Sequence, residues 1–381
     1  MNKFPIRTMV SPARYVQGRN AISRLGEFLA PLGSIPLLVA DDNVWALVGE
    51  DVTASLNAAD LPVHRETVAG YATAAQVDRL VQAIGTLGAD VVVGVGGGST
   101  IDAAKSAGHR AEIRWASVPT VASTDAPCSA LSIIYSEAGA FEEYRFLPRN
   151  PDLVLVDSQL VANAPVKFLI AGVGDALATW PEARAVEKAY SKTMAGGLPT
   201  LSGTSLAKLS WDVLHENALP AIAAVRDHLV TPAVEKVIEA NTLLSGLGFE
   251  SGGLAAAHAI HDGLTAVSQT HGLTHGQKVN IGTITQLVLE GAASEEIRDF
   301  IEFTTRVGLP TSLTEIGLTT GDVADLVTIA TAATAEGETI HAMPFEVLVT
   351  DLVDALRSIE GLSRYVRADA GLPEPVFYQA H

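Results

Sequence analysis

Short apolar runs alternate with amphipathic stretches along roughly the first 160 residues of the chain. The apolar runs are IPLLVA from Ile35, LPVHRETV from Leu61, DVVVGVG from Asp90, IRWASVP from Ile113 and DLVLVD from Asp152. Stretches with helical spacing, such as AAQVDRLVQAIGTLG, lie between these runs. Strand-like runs separated by helical patterns are typical of βαβ units, so this part of the chain is predicted to form a parallel α/β sheet.

The pattern changes near residue 163, where Ala- and Leu-rich segments with helical spacing replace the β-branched runs. The predicted helices are Pro165 to Ala171, Asp175 to Tyr190, Leu201 to His215, Thr231 to Leu247, Leu254 to Val267, His275 to Glu290, Glu295 to Val307, Thr320 to Thr334 and Phe345 to Gly361. A chain of 381 residues is longer than the roughly 250–300 residues that usually fold around a single hydrophobic core. We therefore predict an α/β domain at residues 1–163 and an all-α domain at residues 164–381.

Composition and charge exclude several classes of partner. Hydrophobic residues make up 48% of the chain and charged residues 18%, which indicates a compact globular protein. The net charge of −18 repels phosphates and anionic lipids, so we expect neither nucleic acid nor membrane as a partner. The single cysteine, Cys128, cannot form an intrachain disulfide, and no apolar segment follows Lys3 and Arg7. A cytoplasmic enzyme is expected.

A glycine-rich turn follows one of the predicted strands. The run DVVVGVGGGSTIDAAKSAG predicts a strand that ends near Val95, a glycine turn and a helix that begins near Thr100. Glycines let the backbone approach a pyrophosphate, and the N-terminus of a helix offers N–H groups to it. The run departs from G-x-G-x-x-G, because Ser99 occupies the last glycine position. An ordinary strand-to-helix turn remains the alternative to a dinucleotide site.

Two aspartates follow the run PLLVA. A carboxylate at Asp41 or Asp42 could accept hydrogen bonds from a ribose diol and repel a 2′-phosphate, which favours NAD over NADP. An N-cap aspartate is the alternative, above all for Asp42. Neither residue decides between these interpretations alone.

Four of the ten histidines lie within the stretch HAIHDGLTAVSQTHGLTH. The segment THGQ fits a capping box, so a helix is predicted to begin at His275 and to leave His271 in the preceding loop. His258 and His261 are three residues apart in a helical pattern and point broadly to one side. The spacing leaves open which of these two could bind a metal ion.

An isolated acid in GVGDALATW could complete a metal site. Gly172 and Gly174 are expected to end one helix and to leave Asp175 in the first turn of the next. Catalytic zinc commonly has three protein ligands and one open position. One aspartate and two histidines would satisfy this requirement, although a lone histidine is more often structural.

Four long motifs resemble those of the glycerol dehydrogenases, which belong to the iron-containing alcohol dehydrogenase superfamily. The motifs are GGGSTIDAAK, VPTVASTDAPCSALSIIYSEAGAFEEY, GVGDALATW, and ESGGLAAAHAIHDGLTA with THGQKV. The resemblance implies a dehydroquinate synthase-like fold, with a Rossmann-like domain, a helical domain and a catalytic zinc in the cleft between them. It implies that Asp175, His258 and His275 bind this zinc and the substrate, whereas His261 and His271 do not.

The resemblance also implies the contacts of the cofactor and the substrate. The residues implied for NAD are Asp41, Gly96, Gly97, Gly98, Ser99, Thr100, Ile101, Asp102, Thr120, Val121, Ala122, Ser123, Ser129, Leu131 and Tyr135. Asp125 would accept a hydrogen bond from a hydroxyl of the polyol. The family relation points to a homo-oligomer, an octamer.

Four positions depart from the family pattern. Ser99 stands where the glycerol enzymes often carry Lys, and Asp262 stands where we associate an Asn with the family. Thr179 replaces a further histidine of the iron-using members, which favours zinc over iron. Pro181 is expected to kink the helix that contains Asp175.

Together these observations predict a dehydrogenase that uses NAD and zinc to oxidise glycerol to dihydroxyacetone and acts on other vicinal diols. One alternative is a relative acting on a glycerol phosphate or an amino alcohol. That substrate would call for Lys or Arg near the site, and neither THG nor STDAP has one nearby. A second alternative is a nucleotide-binding protein without catalysis, which would retain the glycine loop and lose the metal ligands.

Overall fold

Most strands coincide with the apolar runs of the sequence. The computed structural model describes residues 6–137, 139 and 141–378. The strands are β1 Tyr15–Gly18, β2 Pro36–Ala40, β3 His64–Thr67, β4 Val91–Gly96, β5 Arg114–Pro119, β6 Leu131–Tyr135, β7 Phe141–Phe146 and β8 Leu153–Asp157. The five predicted strands are confirmed as β2, β3, β4, β5 and β8. The strands β1, β6 and β7 were not predicted: β1 has only four residues and β7, FEEYRF, is half charged, whereas β6, LSIIY, is an apolar run that was not recognised as a strand.

Helices dominate the rest of the chain. They are α1 Leu25–Leu29, α2 Asp42–Ala58, α3 Ala74–Leu87, α4 Gly98–Arg110, α5 Ser158–Asn163, α6 Val166–Ala189, α7 Leu201–Arg226, α8 Pro232–Glu239, α9 Ser245–Gly252, α10 Ala256–Leu264, α11 His275–Leu289, α12 Ser294–Val307, α13 Val323–Ala333 and α14 Val349–Asp369. A π-helical turn, Ala240–Leu244, joins α8 to α9. Within the described residues, no helix has both the length and the apolar character that crossing a bilayer requires.

Six strands form one parallel sheet in the order β1-β8-β5-β4-β2-β3, and β6 pairs with β7 in an antiparallel hairpin. The chain passes from β2 to β3 on one side and then returns to β4 on the other side of β2. The strand order therefore reverses between β2 and β4. In open parallel sheets, ligands bind at such a reversal, beyond the carboxyl ends of the strands.

Both faces of the parallel sheet are covered by helices, because side chains alternate along each strand. Leu38 and Val93 pack with buried residues of α1 and α2 on one face. Their neighbours Leu37 and Val92 pack with α3 and α4 on the other face. This doubly wound arrangement confirms the predicted α/β class and places the loops after β2 and β4 at one edge of the sheet.

The chain divides by its contacts into two compact units. The sheet unit comprises Val10–Leu169 and Ala223–Gly246. The helical unit comprises the described residues up to Met9, Ile170–Ile222 and the chain from Leu247 onward. The sheet unit thus includes α8 and the π-helical turn, which lie far along the chain. The domain division at residue 163 stays a prediction.

Candidate active site

The glycine loop leaves β4 at the strand-order reversal of the sheet unit. Strand β4 ends at Gly96, and α4 begins two residues later at Gly98. A Cβ atom at Gly94 would lie only 2.9 Å from the Cβ atom of Ala104, so glycine allows the helix to approach the strand closely. A Cβ atom at Gly97 would meet no atom within 4 Å. The backbone at this helix N-terminus is therefore open to a ligand.

The two aspartates after β2 have different partners. Asp41 is the N-cap of α2, and its Oδ1 accepts hydrogen bonds from the N–H groups of Asn43 at 2.8 Å and Val44 at 2.9 Å. Asp42 is instead the first residue of the helix and pairs with the guanidinium of Arg65. The N-cap alternative, weighed above all for Asp42, therefore holds for Asp41 instead, and the side chain of Asp42 faces the neighbouring strand β3.

The loop after β5 is held by the π-helical turn. The Thr120 N–H group donates to the carbonyl of Gly96 at 3.1 Å, which places this loop beside the glycine loop. The side-chain amide of Asn241 donates to the carbonyl of Ala122 at 3.0 Å. The Ser245 hydroxyl, four residues after Asn241, donates to Oδ2 of the buried Asp125 at 2.6 Å. Residues 120–125 are thus supported from a distant part of the same unit.

A buried lysine organises the segment that follows. The ammonium of Lys105 donates to the carbonyls of Ala126 at 2.9 Å and Ser129 at 3.2 Å, and also to the carbonyl of Leu131. The carboxylate of Asp102 lies 3.4 Å from this ammonium and accepts from the N–H group of Ile133 at 3.3 Å. Burial raises the pKa of Asp102. Helix α4 therefore anchors the segment predicted to line the cofactor.

The remaining residues implied for NAD lie on the same elements. Ser99 and Thr100 belong to the first turn of α4, while Ile101 packs almost fully buried behind it. Val121 and Ser123 are half-buried in the loop after β5. The ring of Tyr135, at the end of β6, lies 5.2 Å from the ring of Tyr71.

Two glycines bring the helices of the candidate metal cluster together. A Cβ atom at Gly276 would lie 1.7 Å from the carbonyl oxygen of Ala171, and one at Gly174 would lie 2.5 Å from that of Gly276. Helices α6 and α11 therefore cross in backbone contact at this point. The expected helix break at Gly172 and Gly174 is wrong, because α6 is continuous and Gly174 serves this crossing. Asp175 consequently lies in the middle of α6 instead of its first turn.

Three side chains from α6, α10 and α11 converge beside that crossing. Oδ1 of Asp175 lies 3.0 Å from Nε2 of His275 and 3.3 Å from Nε2 of His258. One ligand atom from each of the three residues lies within 4.8 Å of the others. The side chain of Asp175 is 1% exposed and that of His258 12%, whereas that of His275 is 28% exposed. The cluster is thus closed on the aspartate side and open beside His275.

The structure separates His258 from His261, which spacing alone could not do. Nδ1 of His258 lies 2.6 Å from Oε2 of Glu182, so Nε2 is directed to Asp175. Nδ1 of His261 instead lies 2.9 Å from Oδ1 of Asp262, and the centroid of its ring lies 4.2 Å from the ring centroid of His275. Within the described residues, the grouping suited to a metal ion contains His258 and excludes His261.

The electrostatics of the cluster favour a bound cation. Burial alone would raise the pKa of the Asp175 carboxyl, but His275 and His258 hold that pKa well below its usual value. Burial alone would lower the pKa of His258, yet Glu182 and Asp175 raise it well above its usual value. Burial, together with His275, lowers the pKa of His261 to about 3. Positive charge is therefore stabilised at His258, where two carboxylates converge, and excluded from His261.

The other predicted features of this region have definite places. Helix α11 begins at His275, and the Thr274 N–H group donates to the side chain of Gln277 at 2.8 Å, as the capping box predicts. His271 is exposed in the preceding loop, with Nε2 3.1 Å from the carbonyl oxygen of Thr265. Helix α6 continues through Pro181.

Comparisons with known proteins identify the family of this chain. A family model described as iron-containing alcohol dehydrogenase matches residues 12–158. A glycolaldehyde reductase of Halobacterium salinarum is 48% identical over 357 residues, which cover 94% of this chain and 98% of the relative. A glycerol dehydrogenase of Escherichia coli is 48% identical over 338 residues, which cover 89% of this chain and 92% of the relative. The chain belongs to the iron-containing alcohol dehydrogenase family.

The fold supports membership of this oxidoreductase family. The crystal structure of glycerol dehydrogenase from Schizosaccharomyces pombe superposes with a TM-score of 0.95 at 36% identity, covering 99% of this chain and 96% of that one. The resemblance recognised from the motifs is confirmed, as is the fold class that it implied.

Several residues that support the candidate site of this chain were not predicted from the sequence. These residues are Lys105, Glu182, Asn241, Ser245 and Gln286. Each supports another residue through a contact distant in sequence. One local signal was available for Glu182, because it lies seven residues after Asp175 and hence on the same face of a helix.

Proposed function

We propose that this chain is an NAD- and zinc-dependent dehydrogenase that oxidises glycerol to dihydroxyacetone, catalyses the reverse reduction and accepts other vicinal diols. The convergence of Asp175, His258 and His275 carries this proposal. Relatives named glycerol dehydrogenase, 44–48% identical over about nine-tenths or more of the chain, support the substrate. The function is that of an alcohol dehydrogenase acting on a small polyol.

The donor set of the cluster fits zinc. Zinc binds imidazole nitrogen and carboxylate oxygen at about 2.0–2.2 Å, which places tetrahedral ligand atoms about 3.3–3.6 Å apart. The distance of 3.3 Å from Oδ1 of Asp175 to Nε2 of His258 lies at the edge of that spacing, and the distance of 3.0 Å to Nε2 of His275 is slightly shorter. Thr179, one turn after Asp175, offers no fourth nitrogen donor, which also favours zinc over iron. A catalytic site keeps one position open, and the 28% exposure of the His275 side chain supports an open position on that side.

The residues of the helical unit would bind the alcohol and its metal. When bound, zinc acts as a Lewis acid that makes an alcohol hydroxyl more acidic. Asp175 would contribute one buried negative charge, and the two histidines would contribute neutral donors. A divalent cation bound by this set would keep a net positive charge. Asp125 belongs to the sheet unit, where Ser245 holds it, and it would accept a hydrogen bond from a polyol hydroxyl, since an ionised carboxylate only accepts.

The sheet unit would bind NAD, which accepts the hydride. The residues proposed to contact it are Asp41, Gly96 to Asp102, Thr120 to Ser123, Ser129, Leu131 and Tyr135. Their position at the strand-order reversal supports this assignment. We accordingly propose an NAD-binding domain at residues 1–163 and a metal- and substrate-binding domain at residues 164–381.

We also propose that the enzyme is a cytoplasmic homo-oligomer, an octamer by its family resemblance. Light scattering on the purified protein would measure the stoichiometry, and a monomer in solution would contradict it.

A second candidate function is the reduction of glycolaldehyde. The relative from Halobacterium salinarum that bears this name is as similar as the Escherichia coli glycerol dehydrogenase, at 48% identity. Both reactions interconvert a vicinal diol and an α-hydroxycarbonyl compound, so the same cluster could serve either.

Absorbance of NADH tests both candidates. The purified protein is assayed with glycerol and ethylene glycol in the presence of NAD, and with dihydroxyacetone and glycolaldehyde in the presence of NADH. We expect glycerol to have a higher kcat/KM than ethylene glycol, loss of turnover with a chelator, and recovery with zinc. A preference for the two-carbon pair would support the second candidate, and no turnover with any of the four compounds would contradict both.

A further inference from the structure

A fully buried glutamate contacts one of the proposed metal ligands. Glu182 is 0% exposed and lies on α6 two helical turns after Asp175, so the two carboxylates share one face of the helix. Its Oε2 lies 2.6 Å from Nδ1 of His258. Burying a carboxylate is unfavourable unless its oxygens are hydrogen-bonded, so the partners of Glu182 explain its presence.

The two oxygens of Glu182 do different things. Oε1 accepts from the N–H groups of Ala255 at 2.8 Å and His258 at 3.0 Å, at the beginning of α10. Oε2 contacts the imidazole of His258. An ionised carboxylate only accepts hydrogen bonds, so Nδ1 keeps its proton when the ring is in the neutral form that can bind a metal ion. Nε2 then keeps a lone pair, and this atom lies 3.3 Å from Oδ1 of Asp175.

We propose that Glu182 is a positioning residue that fixes the tautomer and the ring orientation of His258, and thereby the affinity of the cluster for its metal ion. The proposal rests on the proposed function, since it takes Asp175, His258 and His275 to bind the metal. Partners that orient a ligating histidine typically change metal affinity by about 10–100-fold when they are removed.

Glu182 also has a structural role that the experiment must separate from positioning. Helix α10 begins after Ala255, which has no side-chain cap of its own. Glu182 accepts two of its first N–H groups, and Oε1 of Gln286 accepts those of Ala256 at 3.0 Å and Ala257 at 2.9 Å. Two buried side chains therefore share the capping of one helix, and only Glu182 also contacts the imidazole of His258.

A pair of variants divides the two roles. Glu182→Gln retains a carbonyl oxygen for the two backbone N–H groups, but it places an NH2 donor against Nδ1 of His258. Nδ1 must then accept, which moves the ring proton to Nε2 and blocks metal binding there. Gln286→Met removes the one oxygen that accepts two backbone N–H groups of the same helix, and it leaves the contact between Glu182 and His258 intact. Glu187→Gln, at an exposed position of α6, controls for the loss of charge.

The readouts are the zinc dissociation constant, measured by competition with a chromophoric chelator, and the thermal midpoint of the metal-free protein. We expect Glu182→Gln to bind zinc at least about tenfold more weakly than the wild type, with little change in thermal midpoint. Gln286→Met should show the opposite: a lower midpoint and zinc affinity within about threefold of the wild type. Glu187→Gln should change neither readout.

If Glu182→Gln binds zinc as tightly as the wild type, the positioning role of Glu182 is overturned and the proposed function is unaffected. An equal loss of zinc affinity in Gln286→Met would also overturn the positioning role, because capping would then explain both variants. A wild-type protein without zinc affinity would overturn the proposed function as well.

Nitrogen NMR on the zinc-loaded wild type, labelled with ¹⁵N-histidine, tests the tautomer even if Glu182→Gln does not fold. We expect a proton on Nδ1 of His258 and the metal on Nε2, and the opposite arrangement would contradict the proposal.

Discussion

The candidate site of the helical unit consists of side chains, whereas that of the sheet unit consists largely of backbone. In the helical unit, Asp175, His258 and His275 are side chains from three helices that meet at one point. In the sheet unit, the glycine loop from Gly96 to Gly98 offers open backbone between a strand and a helix that are adjacent in sequence. The difference shows that backbone sites follow from local order, whereas side-chain sites depend on how distant segments cross.

The supports of the two sites differ in the same way. The crossing at Gly174 and Gly276 determines where Asp175 and His275 can meet, and Glu182 orients His258. Single changes in the helical unit should therefore have large effects. Several hydrogen bonds hold the loops of the sheet unit, and each contributes only part of their stability. Single substitutions there should therefore change binding and stability less.

The largest expected effect comes from removing a histidine of the cluster. His258→Ala should lose bound zinc and reduce kcat/KM by more than about a hundredfold, because a metal ion contributes several kcal/mol to such a reaction. His261→Ala, one turn away, should retain the metal. Zinc content by atomic absorption, with NADH formation, measures both variants. Full zinc occupancy in His258→Ala would contradict the ligand assignment.

The crossing of α6 and α11 provides the next test. Gly276→Ala places a Cβ atom 1.7 Å from a backbone oxygen that cannot rotate away, so the helices must separate. We expect a loss of more than about 3 kcal/mol in the free energy of unfolding. Gly85→Ala in α3 is the matched control, since its Cβ atom would meet nothing within 4 Å. That variant should be neutral or slightly more stable.

Urea unfolding of both glycine variants gives the comparison. Equal stability of Gly276→Ala and Gly85→Ala would show that the two helices do not need backbone contact.

A smaller effect is expected where the sheet unit supports Asp125. Ser245→Ala removes the hydrogen bond of 2.6 Å to this carboxylate, and a bond to a charged group contributes about 1.5–3 kcal/mol. We expect KM for glycerol to rise about tenfold, with a smaller change in kcat. Ser106→Ala is the control: it removes a buried hydroxyl that has no hydrogen-bond partner among the described residues. An unchanged KM for glycerol in Ser245→Ala would contradict a role of Asp125 in polyol binding.

The smallest effect is expected at Asp41. Asp41→Asn keeps an oxygen to cap α2, so the free energy of unfolding should change by less than about 0.5 kcal/mol. The lost charge should weaken NAD binding by less than about tenfold and improve use of NADP, because a 2′-phosphate is no longer repelled. Apparent KM values for both cofactors measure this shift. An unchanged ratio of the two would place the ribose away from Asp41.

Local patterns predicted the parts of the site that depend on neighbouring residues. The capping box in THGQ placed the first turn of α11 at His275, and the alternation of runs identified five strands of the parallel sheet. The helix break expected at Gly172 and Gly174 was wrong. Glycine often ends a helix, but Gly174 lets α6 and α11 touch, and only the partner helix shows why a glycine is needed there.

The sequence by itself determined the doubly wound class of the first half, the glycine loop and, through its long motifs, the family. The tertiary structure groups His258, and not His261, with Asp175 and His275, because that grouping depends on Glu182 and Asp175 from another helix. It also decided the place of Asp175 within α6. The physical reason is that periodicity and capping act within a few residues, whereas the contacts that orient these side chains join segments about 75 or more residues apart.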